Sequence, residues 1–96
     1  MKESEIQRRL MQALAAKFPG IYLRKIAQGA YSRAGIPDII GCHQGMFFGI
    51  EVKTSDGKLT KLQNLEQDHI CACKGLSLVC YGIEDVPYII ERIGGL

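Results

Sequence analysis

The stretch GIPDIIGCHQGMFFGIEVKT, residues 35–54, decides how this chain folds. Its two apolar segments flank residues 43–46, which fit a two-residue hairpin turn in which Gly45 supplies the positive φ. Both segments are apolar on both faces, as is typical of strands that helices cover on both sides of a sheet. The same stretch nevertheless contains three charged residues, which are Asp38, Glu51 and Lys53.

The hairpin turn predicts which residues of the two strands face each other. With Gln44 and Gly45 as the loop, the predicted cross-strand pairs are His43 with Met46, Cys42 with Phe47, Ile40 with Gly49, and Asp38 with Glu51. Because side chains alternate along a strand, Lys53 shares the face of Glu51. Gly49 has no side chain, and we expect it to leave room beside these charges.

Two carboxylates that face each other on neighbouring strands need a compensating positive charge. With Cβ atoms about 5 Å apart, the repulsion at an effective dielectric of 20 is about 3 kcal/mol. Strand propensities span only about 1 kcal/mol, so packing does not explain the pair. Two explanations remain open, which are a salt bridge to Lys53 and a bound divalent cation, since Mg²⁺ uses one or two carboxylates with waters and substrate phosphate.

Working outward from the hairpin, the remaining elements follow from periodicity and turn residues. We predict a helix from Ser4 to Phe18 with a capping box at Ser4 and Gln7, and a strand over Ile21–Ala27. After the hairpin come a second helix, a fourth strand in LSLVCYG and a short closing helix. The order α-β-β-β-α-β-α predicts an α/β fold with a central mixed four-stranded sheet and helices on both faces, built as a single domain over residues 1–96.

The second helix is expected to begin after Thr60, with Gln63 as its capping-box partner. Its predicted apolar side contains Leu62, Leu65, His69, Ala72 and Cys73, and His69 is interpreted as a core histidine. The spacing of the four cysteines fits no zinc site. We expect all four to be small buried hydrophobic residues without disulfides.

Bulk composition excludes few functions. The chain has 96 residues and a formal net charge of +2, which is too weakly basic to indicate nucleic acid by itself. The N-terminus lacks the apolar segment of a secretory signal, and no run approaches the ~20 apolar residues of a membrane span. We expect a soluble protein without membrane contact, in the cytoplasm (that of the host cell if the gene belongs to a phage).

Pro37-Asp38 and Glu51-Val52-Lys53 resemble the PD-(D/E)xK nuclease signature. The glycine two residues before Pro37, the polar turn after Lys53 and the α-β-β-β-α-β order add to this likeness. Together, over residues 5–81, they resemble the VRR-NUC (virus-type replication-repair nuclease) family, as a stand-alone domain of phage or bacterial type. The resemblance implies a restriction-endonuclease-like core and a phosphodiesterase that depends on Mg²⁺ or Mn²⁺ and acts on DNA.

The resemblance also assigns residues to the site. It implies that Asp38, Glu51 and the Val52 backbone carbonyl bind metal, that Lys53 is the catalytic lysine, and that Gln63 positions water or phosphate. Glu5 matches the first-helix acid and would bind metal through water. Gln63 has an alternative role as a capping partner, and Glu5 could simply favour the helix dipole. Contacts to DNA phosphates are expected from Ser32, Arg33, Lys58 and Lys61, for which ordinary solvated loops are the alternative.

The resulting hypothesis is a metal-dependent DNA endonuclease of replication, repair or recombination that selects DNA structure, such as flaps, branches or Holliday junctions. The alternatives are a non-cleaving nucleic-acid-binding module on the same fold and a structural ion-pair cluster in an unrelated domain. We also expect a homodimer through the apolar C-terminal residues, although these could instead pack on their own sheet; they are Ile83, Val86, Ile89, Ile90, Ile93 and Leu96.

Overall fold

The computed structural model describes residues 1–27 and 33–95, and within them three α-helices surround a four-stranded sheet. The elements are α1 (Glu3–Lys17), β1 (Tyr22–Lys25), β2 (Ile39–His43), β3 (Met46–Val52), α2 (Lys61–Ala72), β4 (Leu76–Cys80), a 3₁₀ turn (Ile83–Asp85) and α3 (Val86–Gly94). The predicted order α-β-β-β-α-β-α is confirmed. The strands lie in the order β1-β2-β3-β4.

The β2–β3 hairpin has the predicted register. His43 pairs with Met46, and Ile40 pairs with Gly49. Gln44 and Gly45 both have positive φ, 51° and 84°, which suits a two-residue turn of this type. β1 is antiparallel to β2, whereas β4 is parallel to β3, so the sheet is mixed as predicted.

Helices cover both faces of the sheet. The buried core contains Phe48, Ile50 and Val52 of β3 together with residues of α1 and α3 such as Leu10 and Ile89. The alternate residues of β3 face α2, because a Cβ added at Gly49 would lie 3.2 Å from Ile70 Cδ1. β3 therefore has one face toward α1 and α3 and the other toward α2, which explains why it is apolar throughout.

The capping box predicted for α1 is wrong. The helix begins one residue earlier, and its N-cap is Lys2, which makes no side-chain capping bond. Gln7 does not cap the helix. It is a buried residue of α1, with only 8% of its surface exposed. In α2 the capping box is confirmed, since Thr60 Oγ1 accepts from Gln63 N and Gln63 Oε1 accepts from Thr60 N.

The apolar side predicted for α2 faces the wrong way. Leu62 and Leu65 are 52% and 53% exposed, and His69 is also exposed rather than in the core. The half-buried side of the helix includes Gln63, Gln67 and Ile70 instead. Gln67 Nε2 donates to the Leu78 carbonyl at 3.4 Å, so polar bonds as well as apolar contacts hold α2 against the sheet.

Two of the four cysteines also contradict the prediction of burial. Cys71 and Cys73, at the end of α2, are exposed, whereas Cys80 is buried and Cys42 is half-buried. All four are free thiols, which agrees with the expected absence of disulfides.

The apolar C-terminal segment packs largely on its own chain. Ile89 and Ile93 of α3 are 0% and 3% exposed, and Val86 and Ile90 pack against the same core. Only Ile83, at 39% exposed, remains open among the described members of the predicted stripe, and Leu96 lies outside the described residues. The alternative of packing on its own sheet is therefore correct for this stripe. No helix within the described residues is long and apolar enough to cross a membrane.

Candidate active site

Asp38 lies immediately before β2, where two neighbouring strands hold it. Its backbone carbonyl accepts from Ile26 N at 2.8 Å, and its carboxylate oxygen Oδ2 accepts from Val52 N at 2.8 Å. The regular pairing of β2 with β3 ends at Ile39 and Ile50, so Asp38 lies one residue beyond the end of the ladder. The carboxylate therefore takes the place of the next ladder bond, which fixes its orientation at the end of the sheet.

Glu51 is the buried acid of the site, with only 2% of its surface exposed. Burial, followed by a hydrogen bond and charge repulsion from Asp38, raises the pKa of Glu51 from 4.5 to about 8. The two carboxylates are thus close neighbours, as the register predicts.

Lys53 is half-buried on β3, two residues beyond Glu51. Its charge partly offsets the rise in the pKa of Glu51, so its ammonium group lies close enough to act on that carboxylate. The side-chain stem packs beside the turn at Gly57, where an added Cβ would lie 3.1 Å from Lys53 Cβ. Among the described residues, Lys53 forms no ion pair within contact distance, so a simple salt bridge does not account for the acid pair.

The room expected beside the acids at Gly49 is filled. An added Cβ there would lie 2.8 Å from Pro37 Cγ, and Ile70 closes the other side. Gly49 therefore allows close packing of Pro37 and α2 on the sheet rather than opening a binding space. This contact fixes the position of the segment that precedes Asp38.

Gln63 has the capping role considered for it and also bonds Glu51, while its positioning of water or phosphate stays a prediction. Its Oε1 completes the capping box of α2, while its Nε2 donates to Glu51 Oε1 at 3.1 Å. One carboxamide can do this because it has an acceptor oxygen and a donor nitrogen. The start of α2 is thereby attached to the acid pair.

Glu5 bonds two arginines of its own helix, and its contact to metal through water stays a prediction. It forms an ion pair with Arg9 at 3.0 Å and with Arg8, and these bonds lower the pKa of Glu5 to about 2. The acid of α1 whose charge raises the pKa of Glu51 is Glu3. Sequence reasoning missed Glu3 because the expected helix started at Ser4; placing Glu3 in the first turn, three residues before buried Ile6, would have found it.

The Val52 carbonyl faces the same edge as Asp38. Val52 N donates to Asp38, whereas the next residue, Lys53, donates its N–H to the Cys80 carbonyl on the opposite side. Since N–H and C=O of one strand residue point to the same edge, the Val52 carbonyl oxygen is directed to the Asp38 side. Its role as a metal ligand stays a prediction.

The donor set fits a hard divalent cation. No group of three or more His, Cys, Asp or Glu side chains within residues 1–27 and 33–95 is arranged to hold a metal by itself. Mg²⁺ does not need such a cage, since it takes one or two carboxylates and completes its shell with waters and substrate phosphates. Two adjacent carboxylates and a backbone carbonyl meet this requirement.

Basic residues surround the start of α2. Arg33, Lys58 and Lys61 are exposed, and a Cβ added at Gly35 would lie 2.7 Å from the Leu62 carbonyl, so the loop containing Arg33 packs on this end of the helix. Their contacts to DNA phosphates stay a prediction. Ser32 lies outside the described residues.

The fold matches that of a solved structure described as "VRR_NUC domain". The two chains superpose with a TM-score of 0.77 and 23% sequence identity, over 94% of this chain and 95% of the other. No family model and no curated protein sequence matches this chain. At this level of identity the likeness establishes the fold, and it agrees with the α/β architecture described above.

Proposed function

We propose that this protein is a nuclease of the VRR-NUC type, a Mg²⁺- or Mn²⁺-dependent phosphodiesterase that cuts DNA. The observation that carries the proposal is the pairing of Asp38 with buried Glu51, whose pKa is raised to about 8, beside Lys53. A structural role gives no reason to place half-buried Asp38 beside the buried acid Glu51, since apolar residues would be at least as stable there. The likeness of fold supports the same conclusion.

Each residue has a task in phosphodiester hydrolysis, in which water attacks phosphorus and one ester oxygen leaves. A divalent cation, when bound, would polarise the phosphate and favour deprotonation of water. Asp38, Glu51 and the Val52 carbonyl would hold it. Lys53 would stabilise the negative charge that develops on the phosphate in the transition state, and the bond from Gln63 orients Glu51.

We propose further that the enzyme selects DNA by structure, in replication, repair or recombination. The exposed cations Arg33, Lys58 and Lys61 suit contacts to backbone phosphates, which carry no sequence information. A homodimer would present two such sites to one flap, branch or four-way junction.

The deciding experiment is a cleavage panel of single-stranded, duplex, flap, splayed-arm and four-way-junction DNA, with Mg²⁺, with Mn²⁺ and with EDTA. We expect cleavage of a branched substrate with either metal and none in EDTA. Lys53→Ala should abolish cleavage but keep the Mn²⁺-induced rise in melting temperature, because the ammonium does not bind the metal.

Two outcomes of the panel would contradict the proposal. DNA binding and a metal-induced thermal shift without any cleavage would favour the non-cleaving binding module. Equal melting curves in EDTA and in millimolar Mn²⁺, with no cleavage, would leave only a structural acid cluster.

A further inference from the structure

A cavity opens beside Asp38, on the side of α1. It has a volume of about 360 Å³ and is lined by Ser4, Gln7, Lys25, Ile26, Ala27 and Asp38. A water molecule occupies about 30 Å³ in the liquid, so this cavity holds several. It thus connects solvent with the carboxylate that Val52 N holds from the other side.

Gln7 is the buried polar residue of this cavity. Only 8% of its surface is exposed, and its Oε1 has no hydrogen-bond partner among the described residues. A buried acceptor without a partner costs about 1–3 kcal/mol, so its presence in the middle of α1 requires an explanation. The terminal bond of a glutamine side chain rotates easily, and such a rotation would turn Oε1 toward the cavity.

The chemistry of the lining determines what this acceptor can bind. The unpartnered Gln7 Oε1 and the Asp38 carboxylate both accept hydrogen bonds, so neither of these two groups could donate to a phosphate oxygen beside them. A hydrated divalent cation has the opposite character, because its waters donate and its charge is attracted to Asp38. Lys25, which also lines the cavity, is exposed.

We infer that Gln7 is a positioning residue whose Oε1 accepts a hydrogen bond from the hydration shell of the divalent cation held at Asp38. The inference rests on the metal-dependent function proposed above. It gives the site a polar contact from α1, on the face of the sheet opposite α2. It also explains why a glutamine that does not cap the helix is buried beside a carboxylate.

The test is Mn²⁺ binding by wild type and Gln7→Met, measured by titration calorimetry and by water-proton relaxation, which reports on water bound to Mn²⁺. Methionine keeps the length of the side chain but removes the acceptor. We expect Gln7→Met to weaken Mn²⁺ binding roughly tenfold, as loss of an outer-shell partner commonly does, without lowering the melting temperature in EDTA. Gln7→Glu, which restores an acceptor, should bind Mn²⁺ at least as tightly as wild type.

Gln12→Met is the matched control, because Gln12 lies on the same helix, is exposed and bonds only Arg8 among the described residues. It should bind Mn²⁺ like wild type. If Gln7→Met binds Mn²⁺ as tightly as wild type, or loses only stability in EDTA, the inference is wrong. The Asp38→Asn variant separates the two proposals. If Mn²⁺ binding is lost in Asp38→Asn but unchanged in Gln7→Met, the role of Gln7 alone is wrong. If wild type binds no Mn²⁺, the proposed function is wrong.

Discussion

Asp38 lies between a hydrogen-bond donor, Val52 N, and a second acid, Glu51. Its Oδ2 accepts from Val52 N at 2.8 Å, a bond that favours the carboxylate, while Glu51 beside it disfavours a second negative charge. An acid at this position therefore completes the backbone bonding of β3 and at the same time places a second carboxylate beside Glu51. These two effects can be separated by changing one atom of the side chain.

We predict that Asp38→Asn is more stable than wild type in EDTA and inactive with metal. An asparagine oxygen can still accept from Val52 N, and its amide nitrogen can donate to Glu51, so the repulsion disappears while the backbone bond remains. Thermal unfolding in EDTA and cleavage in Mn²⁺ measure the two effects.

Asp38→Ala is the comparison for this prediction, because it also leaves Val52 N without its partner. We expect Asp38→Ala to be about 1–3 kcal/mol less stable than Asp38→Asn. If Asp38→Asn instead destabilises the metal-free protein, the carboxylate is a structural acid and the nuclease proposal weakens.

At the scale of the element, the first turn of α2 combines stability with function. Thr60 and Gln63 cap the helix reciprocally, and Gln63 also bonds Glu51. The sheet-facing side of this helix is rich in polar residues, so its cap and its hydrogen bonds matter more than for an ordinary amphipathic helix. A change in this turn should therefore affect stability, activity or both, depending on the atom removed.

We predict that Thr60→Ala costs about 1 kcal/mol of stability, the usual cost of losing a capping hydroxyl, and leaves cleavage per folded molecule unchanged. Gln63→Met removes the reciprocal capping bond and the bond to Glu51, so it should lower both stability and the cleavage rate. Denaturant unfolding and single-turnover cleavage, measured on both single variants and the double variant, check this. Equal losses of rate in the two single variants would show that Gln63 acts through the cap alone.

For the whole molecule, the balance of buried charge sets how stability depends on pH. Between 4.5 and about 8 the folded protein keeps a proton on Glu51 that the unfolded chain has released. The free energy of unfolding therefore falls as pH rises through this window. Below 4.5 the lowered pKa of Glu5 gives the opposite slope, because the unfolded chain then takes up the proton first.

We predict that the metal-free protein loses stability as the pH rises from about 4.5 toward about 8, because folded Glu51 keeps a proton that the unfolded chain has released. Denaturant unfolding in EDTA at several pH values measures the slope. Glu51→Gln should flatten it, and saturating Mn²⁺ should raise stability most at the alkaline end, where the metal displaces the fewest protons. An unchanged slope in Glu51→Gln would assign it to another group.

A homodimer remains a prediction, and two of the most exposed apolar side chains among the described residues lie on α2. Leu62 and Leu65 are more than half exposed, and a second copy of the chain would cover them. We expect a dimer by light scattering at micromolar concentration and a folded monomer for Leu65→Glu. Gln12→Glu, on exposed α1 surface, should stay dimeric; a monomeric wild type that cuts junctions symmetrically would contradict this.

By itself, the sequence determined the parts of this protein that depend on neighbours in the chain. Alternation and a two-residue turn were enough for the hairpin register and thus for Asp38 beside Glu51. The Thr60 capping box is equally local, since its two residues are three apart. The element order followed from periodicity and turn residues in the same way, because backbone geometry fixes these patterns over short distances.

The tertiary structure decided which face of each helix is buried and which groups meet across the sheet. α2 turns Gln63 and Gln67 inward and Leu62 outward because hydrogen bonds to Glu51 and to the Leu78 carbonyl are available only once the sheet has formed. The periodicity of apolar residues contains no information about such hydrogen bonds. Glu3 rather than Glu5 raises the pKa of Glu51 for a related reason. The packing of α1 on distant strands, and not the local sequence, sets which side of the helix faces the end of the sheet.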